Sequence, residues 1–469
     1  MILGILKFVL ICIEVVLLFN LLILVHELGH FLAARWRGLV VEKFAIWFGK
    51  PIWSRKIGGV EYRLGSIPAG GFVAIPQLAP MEALEGATEN ARASLPPVKP
   101  LDKIIVAAAG PLFSFGLALA MACVVWAVGK PEGEFDSTRV GYLREGGPAA
   151  QAGFHIGDEI LEVDGHPVKR FFTGTDSIKW RVIRSEGETI SFAVRRDGQV
   201  IHLATGWTKP ETSSWRRPAL REVGIGPLRP PGVGFVVAGS PAAHAGLQSG
   251  DLVTAVNGQP IFDLGELGDH VNQSRGKPLL LTIDRRGALL QTEMSIPPTA
   301  DVSQPVNLGV EWGRVRFVHP SPWSQVSDAA TSIFRMMGAL FSAKSDVKVA
   351  HFSGPVGIMR LYYQVFETDY GWRLALSLSV LINVNLALLN LLPFPVLDGG
   401  HITLALIEAV RRKPVNVRLL EVLQTACALL LIGFMLYVTF FDVGDIVSQQ
   451  DPPKSEEPAG ASPAPAATP

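Results

Sequence analysis

The stretch FNLLILVHELGHF, residues 19–31, ends an apolar run that starts at about Ile2 and finishes in a HELGH motif. As a helix, this run is long enough to cross about 30 Å of hydrocarbon. His26 and His30 lie four residues apart, so both imidazoles would lie on the same face of such a helix. The stretch therefore predicts a membrane-spanning helix with two potential metal ligands near one end.

A removed signal peptide is the alternative interpretation of the N-terminal run. Glu14 lies in the middle of the run, which is also longer than the apolar part of an ordinary signal peptide. The small pair Ala33 and Ala34 follows the HELGH motif, so cleavage there would discard the motif. We therefore expect the helix to be retained.

The composition indicates a membrane protein with a water-soluble insertion. The 469 residues have a formal net charge of zero and only 18% are charged, which excludes a broad basic surface for nucleic acid. Hydrophobic residues reach 48% and are concentrated in residues 1–30, 101–128 and 374–441. The 3 cysteines all lie in apolar runs, so we expect neither a disulfide framework nor a cysteine-rich metal site.

Basic clusters predict the orientation of four membrane crossings. Lysines and arginines follow the first and third apolar segments, at 35–56 and 411–418, and such clusters mark the cytoplasmic side. Spans at about 104–128 and 419–441 would return the chain to the outside. Both termini and the 132–300 block would then lie outside the cytoplasm, with the HELGH motif toward it.

The block between the second and third spans contains an internal repeat. GPAAQAGFHIGDEILEVDGHPV (147–168) matches SPAAHAGLQSGDLVTAVNGQPI (240–261) at an offset of 93, with 10 of 22 positions identical. Each copy predicts a short helix, a Gly-Asp turn, a β-strand and an Asp-Gly or Asn-Gly turn. Two homologous β-rich domains would either bind an extended peptide by strand addition or act as a steric gate. We favour the gate, since the sequence offers no identifiable basic anchor for a peptide.

The HELGH motif has the residue types of a catalytic zinc site. Zinc takes imidazole nitrogen and carboxylate oxygen tetrahedrally and can leave one position open for water, on which Glu27 could act. A chance match is the alternative, but ionisable groups at the end of an apolar span are costly without partners. One zinc ion would satisfy them together, with His26 and His30 as ligands.

A third ligand is expected from NLLPFPVLDGG, residues 390–400. Pro393 and Pro395 break the helix inside an apolar run, and non-helical backbone at membrane depth is tolerated only within protein or beside a wet cavity. Asp398 lies in this segment, where a cation would stabilise its carboxylate. Capping of the following helix is its other possible role, and His401 is the alternative third ligand.

Together these features resemble the site-2 protease family of intramembrane zinc metalloproteases, most closely its bacterial RseP-like branch. HELGH, Asn390–Gly399, AAAGPLFS (107–114) and the Gly-Gly loop at 70–71 all match, so the resemblance covers about residues 1–445. It implies a polytopic α-helical membrane protein with four transmembrane helices, two inserted β-rich PDZ domains and a membrane-associated β-hairpin loop.

The resemblance also implies a role for each residue of the site. His26, His30 and Asp398 would bind zinc, and Glu27 would be the catalytic base. Asn390 would contact the substrate backbone or the developing oxyanion.

Further substrate contacts are implied in the 61–76 loop, where Gly70, Gly71 and Phe72 would lie along a substrate in extended form. Asn385 would be a secondary polar contact. The substrate would be a single-pass membrane protein, such as an anti-sigma factor already trimmed by another protease, or a leftover signal peptide. The chain would act as a monomer in the bacterial inner membrane, in contact with the lipid bilayer and without nucleic acid.

Two other classes compete with a protease: a membrane-anchored PDZ scaffold with a degenerate metal site, and a zinc transporter. The intact Glu27 argues against the first, and the scarcity of polar residues in the second and fourth spans argues against the transporter.

The expected order of domains along the chain is 1–130 (two spans and the 61–76 loop), 131–222 and 223–300 (PDZ domains), 301–373 (linker with an amphipathic helix), 374–446 (two spans) and 447–469 (disordered tail), with a loose linker at 77–100.

Overall fold

The computed structural model describes residues 2–78, 98–133, 137–172, 174–210, 212, 217–237, 239–298, 306, 308–313, 315–342, 344–368, 370–412 and 417–450. Most of the expected 77–100 linker and all of the expected tail beyond residue 450 lie outside these residues.

Helices dominate both ends of the chain and strands dominate its middle. The helices are α1 (Ile2–Trp36), α2 (Pro100–Val128), α3 (Pro148–Gln151), α4 (Ile178–Arg184), α5 (Pro241–His244), α6 (Leu264–Gln273), α7 (Pro322–Phe341), α8 (Pro355–Phe366), α9 (Gly371–Asn390), α10 (Asp398–Arg411) and α11 (Val417–Gln450). The strands are β1 (Lys43–Ile57), β2 (Val60–Ala74), β3 (Lys130–Gly133), β4 (Val140–Leu143), β5 (Glu159–Val163), β6 (His166–Pro167), β7 (Ile190–Arg196), β8 (Gln199–Thr205), β9 (Ile225–Pro227), β10 (Val233–Val236), β11 (Leu252–Val256), β12 (Gln259–Pro260), β13 (Pro278–Arg285), β14 (Ala288–Ser295), β15 (Val310–Trp312) and β16 (Val315–Val318).

Among the described residues, 4 helices are long and apolar enough to cross a membrane: α1, α2, α9 and α11. They agree with the expected crossings in number and position. Large apolar side chains point outward from them, such as Leu17 on α1 and Leu430 on α11, which are 65% and 72% exposed. Such surfaces are stable against lipid and costly against water.

Glycine lets α1 and α2 approach each other closely. A Cβ on Gly29 would lie 2.4 Å from the carbonyl oxygen of Ala109. The small residues of the AAAGPLFS segment therefore bring the α2 backbone against the HELGH turn. On its other side α2 packs on α9, where Ala118 and Ala122 share a buried cluster with Val380.

The stretch between α1 and α2 forms an antiparallel hairpin of β1 and β2. Its turn lies at Gly58 and Gly59, whose φ angles are 58° and 86°. The 61–76 loop is therefore most of the second strand of a longer hairpin. Gly71 pairs with Ile46 within that strand and forms no turn.

The middle of the chain folds as two β units with the same plan. Their sheets have the orders β6-β5-β7-β8 and β12-β11-β13-β14, and each has its own apolar core. The first elements of one unit, β4, α3, β5 and β6, recur in the other as β10, α5, β11 and β12 at the 93-residue offset of the sequence repeat, whereas the later elements follow at shorter offsets. Asp164 and Asn257 have φ angles of 49° and 50°, the left-handed conformation that tight hairpin turns of this type require.

Both units extend beyond the boundaries expected from the sequence. β4 pairs with β9, beyond residue 222, and β10 pairs with β15, beyond residue 300. These closing strands have only 3 residues each and lack an apolar pattern of their own. The 301–373 segment also holds β16, α7 and α8 rather than a linker with a single helix. Residues 447–450, assigned to the tail, complete α11.

Candidate metal centre

Two distant stretches of chain meet at the HELGH turn of α1. In the part of the chain that the structure describes, His26, His30 and Asp398 are the cluster with metal-ligand geometry, their ligand atoms all lying within 4.8 Å of one another. Nε2 of His26 lies 3.2 Å from Oδ2 of Asp398, and Nε2 of His30 lies 3.3 Å from Oδ1. One carboxylate thus faces both imidazoles.

The break between α9 and α10 carries Asp398 to the histidines. The chain turns back so tightly here that a Cβ on Gly399 would lie 2.2 Å from the carbonyl oxygen of Leu391. A Cβ on Gly400 would lie 2.0 Å from the carbonyl oxygen of Phe394. Only residues without a side chain fit this reversal inside an apolar run.

The structure distinguishes between the roles left open for Asp398. It is the first residue of α10, and the cap position is held by Leu397, without a side-chain hydrogen bond. Its carboxylate faces the imidazoles instead of capping the helix. His401, the alternative third ligand, does not belong to the cluster, and its buried Nε2 has no hydrogen-bond partner among the described residues.

Helix α2 holds the second ring nitrogen of each histidine. Nδ1 of His30 lies 2.8 Å from the carbonyl oxygen of Val106, and Nδ1 of His26 lies 3.0 Å from Oγ of Ser114. A carbonyl oxygen can only accept, so Nδ1 of His30 donates and Nε2 keeps its lone pair for a metal. Two imidazole nitrogens and one carboxylate oxygen, with partners that orient them, fit the donor set of zinc.

Ser114 is a site residue that we did not identify from the sequence. It is fully buried, with 0% of its surface exposed. Its signal was present, since it is the one polar side chain in AAAGPLFSFG, residues 107–116. Without the fold, however, nothing linked that hydroxyl to His26.

The β1–β2 hairpin reaches the same place. A Cβ on Gly71 would lie 3.2 Å from Cγ of Glu27 and 3.2 Å from Cγ2 of Ile23. Strand β2 therefore passes directly over Glu27. Gly70 has a φ of 73°, and the rings of Phe48 and Phe72 stack beside it at 6.3 Å.

The two asparagines of α9 lie in different surroundings. Nδ2 of Asn390 lies 3.3 Å from Nε2 of His26, so its side-chain amide lies beside the three potential metal ligands. Oδ1 of Asn385 is buried, and no described residue forms a hydrogen bond with it. Only Asn390 makes a described contact with the cluster.

The chain is similar to known proteins along most of its length. The model of Peptidase family M50 matches residues 14–434. A Neisseria meningitidis protein named as a zinc metalloprotease is 32% identical over 457 residues, which cover 91% of this chain and 97% of that protein. The regulator of sigma-E protease RseP of Salmonella typhimurium is 30% identical over 452 residues, covering 90% of this chain and 96% of that protein.

Among solved structures, the PDZ domain of an SdrC-like protein from Listeria monocytogenes matches 18% of this chain and 87% of its own chain, at 20% identity and a TM-score of 0.16.

Fold and site together define a membrane-embedded metallopeptidase. The chain belongs to peptidase family M50, the site-2 proteases. It is a zinc metalloprotease of the site-2 type, which confirms the resemblance noted in the sequence. The scaffold and the transporter are thereby set aside.

Proposed function

We propose that this protease hydrolyses a peptide bond within or near the transmembrane helix of a single-pass membrane protein. The observation that carries the proposal is the position of the three potential metal ligands. His26 and His30 lie on α1, a helix apolar enough to cross a membrane, and Asp398 joins them from the break between α9 and α10. A catalytic centre built on such helices acts on a bond at membrane depth.

His26, His30 and Asp398 would hold one zinc ion. Zinc, when bound, polarises the scissile carbonyl and makes a water molecule more acidic. Glu27 takes a proton from the attacking water and passes it to the leaving amine. Asn390 donates a hydrogen bond to the carbonyl oxygen as its negative charge develops.

Strand β2 presents the substrate in extended form. A helical substrate has its carbonyl groups hydrogen-bonded internally, so it has to unwind before attack. Within the described residues, the 71–74 part of β2 pairs with residues 43–46 of β1 on one side only, which leaves the other edge of this part unpaired. The substrate pairs with that edge at Gly70, Gly71 and Phe72, beside Glu27, and regains backbone hydrogen bonds there. Asn385 supplies a secondary polar contact.

The membrane orientation follows from the basic clusters after the first and third apolar segments. The enzyme lies in the bacterial inner membrane as a monomer, with its centre toward the cytoplasm and both termini in the periplasm. The two β units are periplasmic PDZ domains that exclude substrates with bulky outer domains.

The name of the Salmonella typhimurium relative, a regulator of sigma-E, supports an anti-sigma factor as the substrate, already shortened by a first protease. Remnant signal peptides are a second class.

The test combines zinc analysis with cleavage of a single-pass reporter in nanodiscs. Glu27→Gln keeps zinc and abolishes cleavage, whereas Glu14→Gln, earlier on the same helix, changes neither. Asp398→Asn loses zinc, and His401→Asn retains it. Cleavage by the Glu27 variant, or full zinc content in the Asp398 variant, contradicts these roles. Comparing membrane proteomes with the active and the Glu27→Gln enzyme then identifies the substrate.

A further inference from the structure

A buried carboxylate of the α7–α8 connector lies in a basic site on the first β unit. The side chains of Arg221 and Asp346 are only 5% and 7% exposed. Nε of Arg221 donates to Oδ2 of Asp346 at 2.8 Å, and the backbone N–H of Arg221 donates to the same oxygen at 3.2 Å. Nζ of Lys209 lies 2.7 Å from Oδ1. Two cations and one backbone amide therefore converge on one carboxylate.

The first β unit itself holds Arg221 in position. The arginine donates through Nη1 to the carbonyl oxygen of Ser185, the residue after α4. The ring of Trp207, which follows β8, lies 4.5 Å from the guanidinium carbon. These two contacts come from the unit itself, whereas Nη2 of Arg221 also donates to the carbonyl oxygen of Lys344 in the connector at 3.1 Å.

The residue that follows the carboxylate is held by apolar contacts. Val347 is buried in a cluster with Ile183 of α4 and Ala339 of α7, against which Trp180 and Leu220 pack. The connector thus presents a carboxylate to the basic site and a branched side chain to an apolar pocket beside it.

The second β unit serves as an internal comparison. Val223 in the first unit corresponds to Leu308 in the second. The carbonyl oxygen of each accepts a hydrogen bond from the backbone N–H of the second residue of a short helix, α3 in the first unit and α5 in the second. Counting back two residues, Arg221 corresponds to Val306. The second unit has no arginine at this position, so the basic site belongs to the first unit.

We propose that the first β unit carries a carboxylate-binding site centred on Arg221, and that Asp346 of the same chain is its internal ligand. The bound connector docks this unit onto the helices that follow it. The repeated segments do not reveal this basic site, because Arg221 lies outside them, in the connector before β9.

The docking contact is linked by packing to the metal centre. Helix α7 ends just before the connector, and its residues Val326 and Ala329 pack in one buried cluster with α2 and α9. Those two helices carry Ser114 and Asn390. The position of the outer unit is thus tied to the helices that build the catalytic site.

A second arginine on the same segment reinforces the attachment. Nη2 of Arg217 lies 2.7 Å from Oδ1 of Asp442, and its Nε lies 2.7 Å from Oδ2 of Asp445. Both carboxylates belong to α11. The segment between β8 and β9 therefore contacts the α7–α8 connector through Arg221 and the last membrane helix through Arg217.

The test is amide hydrogen exchange of the full chain in nanodiscs. Breaking a buried ion pair leaves an uncompensated charge, so Asp346→Asn raises exchange in α4 and in residues 217–225 by about tenfold or more. Arg221→Val, which installs the residue found in the second unit, does the same. Asp328→Asn changes an exposed aspartate of α7 and leaves exchange as in the unaltered chain.

Two features keep the test decisive. The second β unit is an internal reference, because exchange that rises equally in both units reports general unfolding. If Arg221→Val unfolds the chain in this way, the near-isosteric Asp346→Asn variant tests the contact in its place. Combining Asp346→Asn with Arg221→Val produces no more than the larger single effect if the two residues form one contact. Unaltered exchange in the Asp346 variant, or additive effects of the two changes, overturns the proposal.

Discussion

Gly110 of α2 lies directly against His30 of α1: a Cβ at position 110 would lie 2.2 Å from Nε2 of that histidine. It would also come within 2.9 Å of Nε2 of His26. The two nitrogens that would bind zinc therefore have room only because residue 110 has no side chain. Helix α2 shapes the metal centre as much as the helix that carries the HELGH motif.

Gly110→Ala is expected to displace the imidazoles and lower zinc affinity. Since outer-shell changes already cost about 10–100-fold in metal affinity, the loss lies at or above the upper end of that range. Gly116→Ala is the matched control, because no atom of the described part of the chain lies within 4 Å of a Cβ at that position on the same helix. Competition with a zinc chelator measures the zinc affinity of both variants, and equal affinities contradict the steric argument.

Ser114→Ala is expected to weaken zinc binding about tenfold while the chain stays folded. The hydroxyl contacts Nδ1 of His26 at 3.0 Å and orients the ring for coordination through Nε2. Ser379→Ala is the control, since Ser379 is also fully buried but contacts the hydroxyl of Tyr362. That change lowers thermal stability and leaves zinc affinity intact. If both serine variants bind zinc equally well, Ser114 does not orient the ligand.

Gly71→Val is expected to reduce cleavage without loss of zinc. The added side chain would press on Glu27 and Ile23, each 3.2 Å from the position of a Cβ. We expect kcat/KM for a reporter to fall by about 100-fold, the scale of loss when reacting groups are displaced by 1 Å. Ser66→Ala, at an exposed position of the same strand, leaves the rate unchanged. A Val variant with full activity would show that β2 does not contribute to the site.

The docking contact at Asp346 is expected to weaken in acid. Burial opposes the charged form, but hydrogen bonds from Arg221 and Lys209 outweigh it and lower the pKa of Asp346 from 3.8 to about 2. Because the folded pKa is the lower one, the stabilisation is fully present above about pH 4 and is lost as the pH falls toward 2. Its size is about 2 kcal/mol.

Thermal unfolding of the unaltered chain and of Asp346→Asn, followed from pH 6 to about pH 2.5, checks this expectation. The difference between their midpoints narrows below about pH 4, whereas the small difference produced by Asp328→Asn stays constant. If the difference between the unfolding midpoints of the unaltered chain and Asp346→Asn persists or widens in acid, the charge of Asp346 does not stabilise the docked unit.

Several parts of this protein could be predicted from local sequence. Hydrocarbon thickness sets the length of an apolar helix, so the four membrane helices followed from composition. Helical periodicity put His26 and His30 on one face. The Asp-Gly and Asn-Gly pairs predicted the left-handed turns at Asp164 and Asn257. Each of these inferences depends on residues close together in the chain.

The tertiary structure alone decided which distant groups meet. Asp398 and His401 are three residues apart, and only the reversal before α10 turns the first of them toward the histidines. Ser114 lies 88 residues from His26, and Asp346 lies 125 residues from Arg221. Hydropathy and periodicity describe the environment of a residue but not its partner, because a long-range contact depends on how whole helices and sheets pack.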